Sequence, residues 1–535
     1  MLCLLRITAF STTPLFTLQT SHFYPLPCPH RLWTRGGFSL PKRLPIFYSA
    51  LLLTGVNLLL RLFGTCFQVY ISNTLGAAGV GLLQLTMSVG SLALVAGIAG
   101  VRTAAMYLTA EELGRKKPQN VTWILSGCIR YSLLFSGVIA AALYYCSPLI
   151  ARHWIGDIRT VDALRLLASF LPVTCFCAVM TGYFTAANRI GTLAAVEVGE
   201  QLFSMAITML LLSRWAENDP GRACQCVVLG SNLGGCFTLI CLMLLRLLEK
   251  APSGPRIPIS RRLTYTAVPL ALADVLKSGI NTVENLMVPK RLALNQLVED
   301  PLAAFGIVSG MVFPVLMFPA CILYGLAELL IPELARCAAA GSQKRICYLV
   351  RRNLKATMLY GLFFCGLEFL LAQNLCQRLY ANEEAGAYLR LYALLIPILY
   401  CDAITDAMTK GLGQQTVCVR YNIFTSAMDV VLLFLLLPNY GMMGYYISFL
   451  VTHLLNFLLS LRRLLRITGV RIPFWVPALS TSAALAAVLG AAQFLHPSLQ
   501  GLAYIALLGS LLCLFQITGK EDLLWIKGLL RRSKQ

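Results

Sequence analysis

The chain is 535 residues long, 58% hydrophobic and only 13% charged. A soluble chain of this length divides into domains whose residues are roughly a quarter charged, so that class is excluded. The formal net charge of +21 does not mark a nucleic-acid partner, because Lys and Arg collect in short segments between apolar runs, as the positive-inside rule requires.

Residues 1–43 are rich in Ser, Thr and Pro and hold no long apolar run. Arg6 interrupts the only apolar start, and no small-residue cleavage site follows, which argues against a signal peptide. The stretch reads as a disordered cytoplasmic leader or an over-extended gene start. Apolar runs then recur to the C-terminus at 47–72, 80–108, 121–146, 161–186, 191–213, 223–247, 264–288, 302–330, 354–373, 388–411, 416–437, 441–461, 474–494 and 501–518. Each is long enough to cross the ~30 Å hydrocarbon layer as a helix. Alternating strands are absent, which excludes a β-barrel. The basic connections are 111–117, 249–262, 336–355 and 462–471, and their common side sets both termini in the cytoplasm.

The expected fold is an all-α polytopic membrane protein of about fourteen transmembrane helices. Two six-helix lobes, 44–248 and 263–471, flank a Pro-rich cytoplasmic linker at 249–262. Two further helices occupy 472–518, and an amphipathic cytoplasmic tail occupies 519–535. A shift of 225 residues lays the first six helices over the next six: Gly81 falls on Gly306, Pro172 on Pro397 and Arg130 on Lys355. Six is even, so the halves run in the same direction and a pseudo-two-fold axis along the membrane normal relates them. The 19 cysteines include the pairs Cys175/Cys177 and Cys224/Cys226 without a His partner at finger spacing. They read as small apolar filler, and neither a metal site nor a cofactor is expected.

Polar residues at membrane depth are expensive, about 2.5–3.5 kcal/mol for a charge at the centre, and tend to face a partner or a wet cavity. Helix 1 carries Asn57, Arg61, Thr65 and Gln68 on one face. Helix 7 carries Asp274, Lys277, Asn281, Glu284 and Asn285 on another. Under the 225 shift Asn57 and Arg61 land beside Asn281 and Asn285, so the two stripes should face one another across a central cavity. Arg102, near the cytoplasmic end of helix 2, either lines the cavity entrance or snorkels to the surface. These residues, Thr65 excepted, are the candidate substrate site. Asp402, Asp406 and Lys410 follow at four-residue steps in helix 10, and Asp429 lies near the centre of helix 11. The three acids are candidates for ion coupling. Glu197 and Glu200 in helix 5 stand open between structure and function, and His453 with Asn456 in helix 12 reads as a structural pair.

The segment NLLLRLFGTCFQVYISNTLGAAGVGLLQL (57–85) and the helix 7 segment SGINTVENLMVPKRL (278–292) resemble the stage V sporulation protein B-like branch of the multidrug/oligosaccharidyl-lipid/polysaccharide exporter superfamily. The helix 7 segment follows that branch's S-G-x-x-T-x-E-N-x-x-I/V-P-x-R-L pattern. The resemblance implies an alternating-access flippase for a lipid-linked, undecaprenyl-type cell-wall or polysaccharide precursor in a bacterial cytoplasmic membrane, not an enzyme. It also implies a cationic cavity for a pyrophosphate head group, for which Arg61 and Lys277 are the central cations. Gln68 stands where relatives tend to carry a basic residue. The competing readings are a cation-coupled multidrug exporter, a membrane glycan polymerase or glycosyltransferase, and a scaffold. Short external loops and five histidines weigh against the enzyme, and no phosphate-cradling Gly-rich Lys motif supports ATP hydrolysis. The glycan, the coupling ion and any sporulation role are open at this level.

Overall fold

A computed structural model describes residues 46–470 and 483–514, apart from 116, 188, 217, 218, 249–259, 297, 485, 489 and 492–496. The leader, the tail at 519–535 and most of the linker and of the run at 474–494 therefore lie outside the described residues. Among the described residues every regular element is helical.

The first element, α1 (Ile46–Ile98), has 53 residues. As one rod it would reach about 80 Å, far more than a membrane needs. It is instead a hairpin broken at Gly76, whose φ of 69° and ψ of 175° leave the helical region. Ser72 and Val80 flank this break, and both reach Gly310 from their respective arms. Helix α2 (Val101–Gly114) follows a second break, where Ala99 and Gly100 have φ of 45° and 70°. Next come α3 (Val121–Leu149) with a π-turn at Ile150–Ile155, α4 (Val161–Ala186), α5 (Ile190–Trp215) and α6 (Pro220–Leu247).

The second half opens with α7 (Ser260–Leu292). A broken helix follows: α8 (Pro301–Gly306), a π-segment at Ile307–Val312, α9 (Phe313–Leu316) and, after a 64° bend, α10 (Ala320–Ala339). Then come α11 (Gln343–Tyr380) and a pair bent by 55°, α12 (Glu383–Ala393) and α13 (Ile396–Gly411). Helix α14 (Gln415–Thr468) has 54 residues and is a second hairpin, broken at Gly441 with φ 56° and ψ −138°. Ser448 Oγ donates to Asp429 Oδ1 at 2.5 Å although 19 residues separate them, a contact no straight helix permits. Helix α15 (Pro497–Leu514) packs on α11. There Tyr504 is buried against Gly366 and donates to the Leu362 carbonyl at 3.0 Å.

Seven helices or hairpins are long and apolar enough to cross a membrane, and the two bent pairs bring the number to nine among the described residues. Since α1 and α14 are hairpins, each contributes two passes to the fold. The chain is a multi-pass membrane protein. The helices read from sequence differ from the observed ones chiefly at breaks and ends: α11 extends beyond 354–373 because Ile346, Val350, Cys376 and Tyr380 continue its buried stripe. Bends free backbone carbonyls that lipid cannot satisfy. At the α9–α10 bend Tyr400 Oη donates to the Leu316 carbonyl at 2.9 Å, and Tyr360 Oη to that of Pro319 at 2.8 Å.

The halves meet where α1 crosses α8 and α7. A Cβ on Gly81 would strike the Leu302 carbonyl, and one on Gly306 would strike that of Ala77. Under the 225 shift Ala77 corresponds to Leu302 as Gly81 does to Gly306. Each residue thus touches the counterpart of the residue that touches its own counterpart, which is the reciprocity a two-fold axis imposes. Farther along, Thr282 Oγ1 donates to the Ser88 carbonyl at 3.1 Å and Asn285 Nδ2 to Ser88 Oγ at 3.0 Å. At the far end of α2, Arg262 binds Glu112 Oε1 at 3.0 Å and also pairs with Glu111, which joins the start of α7 to the first half.

Candidate functional site

The polar residues of the second half converge on one cavity of about 290 Å³. Its walls are the α7 stripe (Asn281, Glu284, Asn285), Asp402 of α13, and both arms of α14. The first arm supplies Asn422, Thr425, Ser426 and Asp429, and the second Thr452, His453 and Asn456. The hairpin at Gly441 creates this wall, because it folds Thr452 back to donate to Asp429 Oδ1 at 3.2 Å beside the Ser448 bond. Glu284 faces the Asp429 carboxyl. Two carboxyl groups in contact repel unless a proton or a cation lies between them.

One turn beyond Thr452, Asn456 Nδ2 bridges both oxygens of Asp402 at 3.0 Å each. His453 Nδ1 lies 4.0 Å from Asp402 Oδ2 with its ring against Phe449. The pair read as structural from the sequence therefore holds one of the acids. One turn on, Asp406 Oδ2 pairs with Lys410 Nζ at 2.7 Å, the ion pair its four-residue spacing predicts.

The two central cations occupy different walls. Arg61, half-buried in the first arm of α1, lies with its guanidinium 4.6 Å from the centre of the Tyr324 ring on α10. Tyr324 is within electrostatic reach of both Arg61 and Asp402. Lys277 is exposed, and its charged neighbours are Asp274, Asp406 and Lys410. The acids of α13 thus reach both walls: Tyr324, under Arg61, lies within electrostatic reach of Asp402, and Lys277 within that of Asp406.

Not every sequence-derived candidate joins this cluster. Gln68 is buried in the seam between the halves and donates to the Gly310 carbonyl at 3.1 Å. Arg102 is half-buried on α2, its carbonyl packed on Gly182. The side chain of Asn57 lies outside the described residues. In the first half Glu200 accepts from Thr238 Oγ1 at 2.5 Å. Tyr324, Asn422, Thr425, Ser426 and Thr452 escaped the sequence reading, since hydroxyls and amides are common in membrane helices and only the hairpin assembles them. Among the described residues no group of three His, Cys, Asp or Glu is arranged to hold a metal ion.

Comparison with known proteins agrees with this architecture. A family model described as polysaccharide biosynthesis protein matches residues 47–275, and one described as MatE matches residues 269–435. The two overlap at 269–275 and together span 47–435. The chain is similar to stage V sporulation protein B of Bacillus subtilis (strain 168). The two are 20% identical over 410 residues, 74% of this chain and 79% of that protein. Among solved structures the fold resembles the lipid II flippase MurJ in an inward closed conformation. The TM-score is 0.66 at 14% identity, over 87% of this chain and 98% of that one. It also resembles an inward-facing multidrug transporter of the superfamily, with a TM-score of 0.63 at 14% identity over 78% and 98% of the two chains.

Proposed function

We propose that this protein is a member of the multidrug/oligosaccharidyl-lipid/polysaccharide exporter superfamily and a flippase that carries a lipid-linked cell-wall or polysaccharide precursor across the bacterial cytoplasmic membrane by alternating access. In this reading both termini are cytoplasmic, as the placement of Lys and Arg requires, and the cargo is an undecaprenyl-type lipid bearing a pyrophosphate. The observation that carries the reading is the pair of central cations: Arg61 spread on Tyr324 and Lys277 exposed on the α7 stripe. A cation kept at membrane depth costs several kcal/mol, which an anionic head group recovers by charge-assisted hydrogen bonds. The similarity to stage V sporulation protein B and the likeness to a lipid II flippase support the same cargo class. Asn57, Asp274, Asn281 and Asn285 serve the head group or its sugars, and Arg102 the entrance. Gln68 holds the seam. Asp402, Asp406 and Asp429 couple transport to a cation, with Glu284 beside Asp429.

The cavity acids favour one alternative, a cation-coupled multidrug exporter, since Glu284, Asp402 and Asp429 would attract a cationic drug as readily as an ion. Transport of a labelled undecaprenyl-pyrophosphate sugar into proteoliposomes separates the two. The flippase reading requires translocation by the wild type that a folded Arg61→Ala, Lys277→Ala double variant loses. Failure of the wild type, with and without an imposed gradient, transfers the assignment to the exporter.

A further inference from the structure

Four hydrogen bonds cross between the halves at the Gly76 end of the seam, and all share one chemistry. Gln68 Nε2 and Ser72 Oγ donate to the Gly310 carbonyl at 3.1 and 3.2 Å. Asn73 Nδ2 donates to the Leu379 carbonyl at 2.7 Å, and Lys290 Nζ donates to that of His153. In every case a side chain of one half meets a backbone oxygen of the other. Those oxygens are also of one kind. Gly310 lies in the π-segment Ile307–Val312, where the widened turn interrupts the ordinary helical ladder. His153 lies in the terminal π-turn Ile150–Ile155, and Leu379 in the last turn of α11, which ends at Tyr380. Carbonyls in a last turn lack an intrahelical donor, and the residue four beyond Gly310 is Pro314, which has no N–H to give.

We propose that the Gly76 end of the seam is a gate latched by these side chains, each capping a carbonyl that its own helix leaves orphaned in the opposite half. The caps run both ways, from α1 into the second half and from α7 into the first. The glycines make closure possible. Gly81, Gly306 and Gly310 let the backbones meet with no room for a Cβ, against Leu302, Ala77 and Val80 respectively. An orphan carbonyl without water or a donor costs several kcal/mol at membrane depth. Opening therefore requires water to replace the buried caps on Gly310, and closing expels it. Gln68 and Ser72 are buried in the closed seam, so this end is sealed while the polar cavity on the α7–α14 side stays formed. The gate stands whichever substrate the cavity carries.

Hydrogen–deuterium exchange of the full-length protein in lipid nanodiscs tests this latch. A Gln68→Leu, Ser72→Ala double variant removes both caps on Gly310, and Gly306→Val places side-chain atoms against Ala77. Each should speed exchange at 64–81 and 302–316 by about ten-fold or more, with residues 361–376 and 200–212 unchanged. Asn73→Leu removes a single cap at an exposed position and serves if the others fail to fold. It should speed exchange at 375–381 by about two- to ten-fold. Unchanged protection in folded variants overturns the latch, and so does faster exchange spread evenly over the control segments, which would make these bonds general fold contacts.

Discussion

Asp429 is where ion coupling can be tested most sharply. It is 6% exposed, accepts from Ser448 at 2.5 Å and Thr452 at 3.2 Å, and faces Glu284. Asp429→Asn keeps the side-chain shape and one oxygen for the two hydroxyls, but removes one of the two charges that would hold a cation. Removing one charge from such a buried set costs about 2–5 kcal/mol. At about 1.4 kcal/mol per decade, cation affinity should fall roughly 30- to 4000-fold. The assay is substrate movement in proteoliposomes under an imposed sodium gradient and, separately, a pH gradient. The wild type should accelerate under one of them. The variant should elute and melt like the wild type, lose that acceleration, and still equilibrate substrate down its own gradient. If the variant keeps the acceleration with half-saturation within about two-fold of wild type, a shift worth less than ~0.5 kcal/mol, then Asp429 is a packing residue and the coupling argument fails.

Three other outcomes follow from named contacts. Arg61→Lys keeps the charge but loses the planar stack on Tyr324, an interaction worth about 0.5–2 kcal/mol, so transport should fall roughly two- to thirty-fold while Arg61→Ala falls further. Gly366→Val drives a side chain into the Tyr504 ring and should cost about 1–3 kcal/mol by overpacking, seen as earlier thermal unfolding that added Tyr504→Ala partly relieves. Arg262→Ala leaves Glu112, 4% exposed, with Asn120 at 2.8 Å and Arg115 at 3.7 Å as its partners. Arg262 itself is 38% exposed at its side chain, so solvent screening holds the loss to about 1 kcal/mol, read as faster hydrogen exchange at 108–120.

The periodic features of the fold were legible in the sequence. Apolar run length gave the helices, and the 225-residue repeat paired Gly81 with Gly306 before any contact was known; the two prove to be the reciprocal contact of the seam. The breaks were not legible. Met317–Pro319 and Leu394–Leu395 lie inside runs apolar enough to read as continuous helices, and what sustains the first bend is distant: Tyr360 and Tyr400 reach its carbonyls from 41 and 84 residues away. Gln68 shares a helical face with Arg61 and so reads as cavity-lining. Its partner, however, is the Gly310 carbonyl 242 residues on, and no side-chain pattern announces a backbone acceptor.

The same limit explains the site. Spacing alone predicts Asp406–Lys410, because both ends lie on one helix. It cannot predict that Asp402, four residues earlier on the same stripe, turns to Asn456 and His453 on another helix. The consequence is chemical. Asp406 does not serve Lys277 alone: Lys277 is also near Lys410, which already pairs with Asp406 at 2.7 Å. An anionic head group arriving at Lys277 competes with the carboxylate of Asp406 for that cation. A cation drawn to Asp406 would free Lys277 for that head group, and by linkage the anion would then raise the cation's affinity by the same factor. This gives the two proposed ligands of the transporter a physical route to couple, without a long-range conformational signal between them.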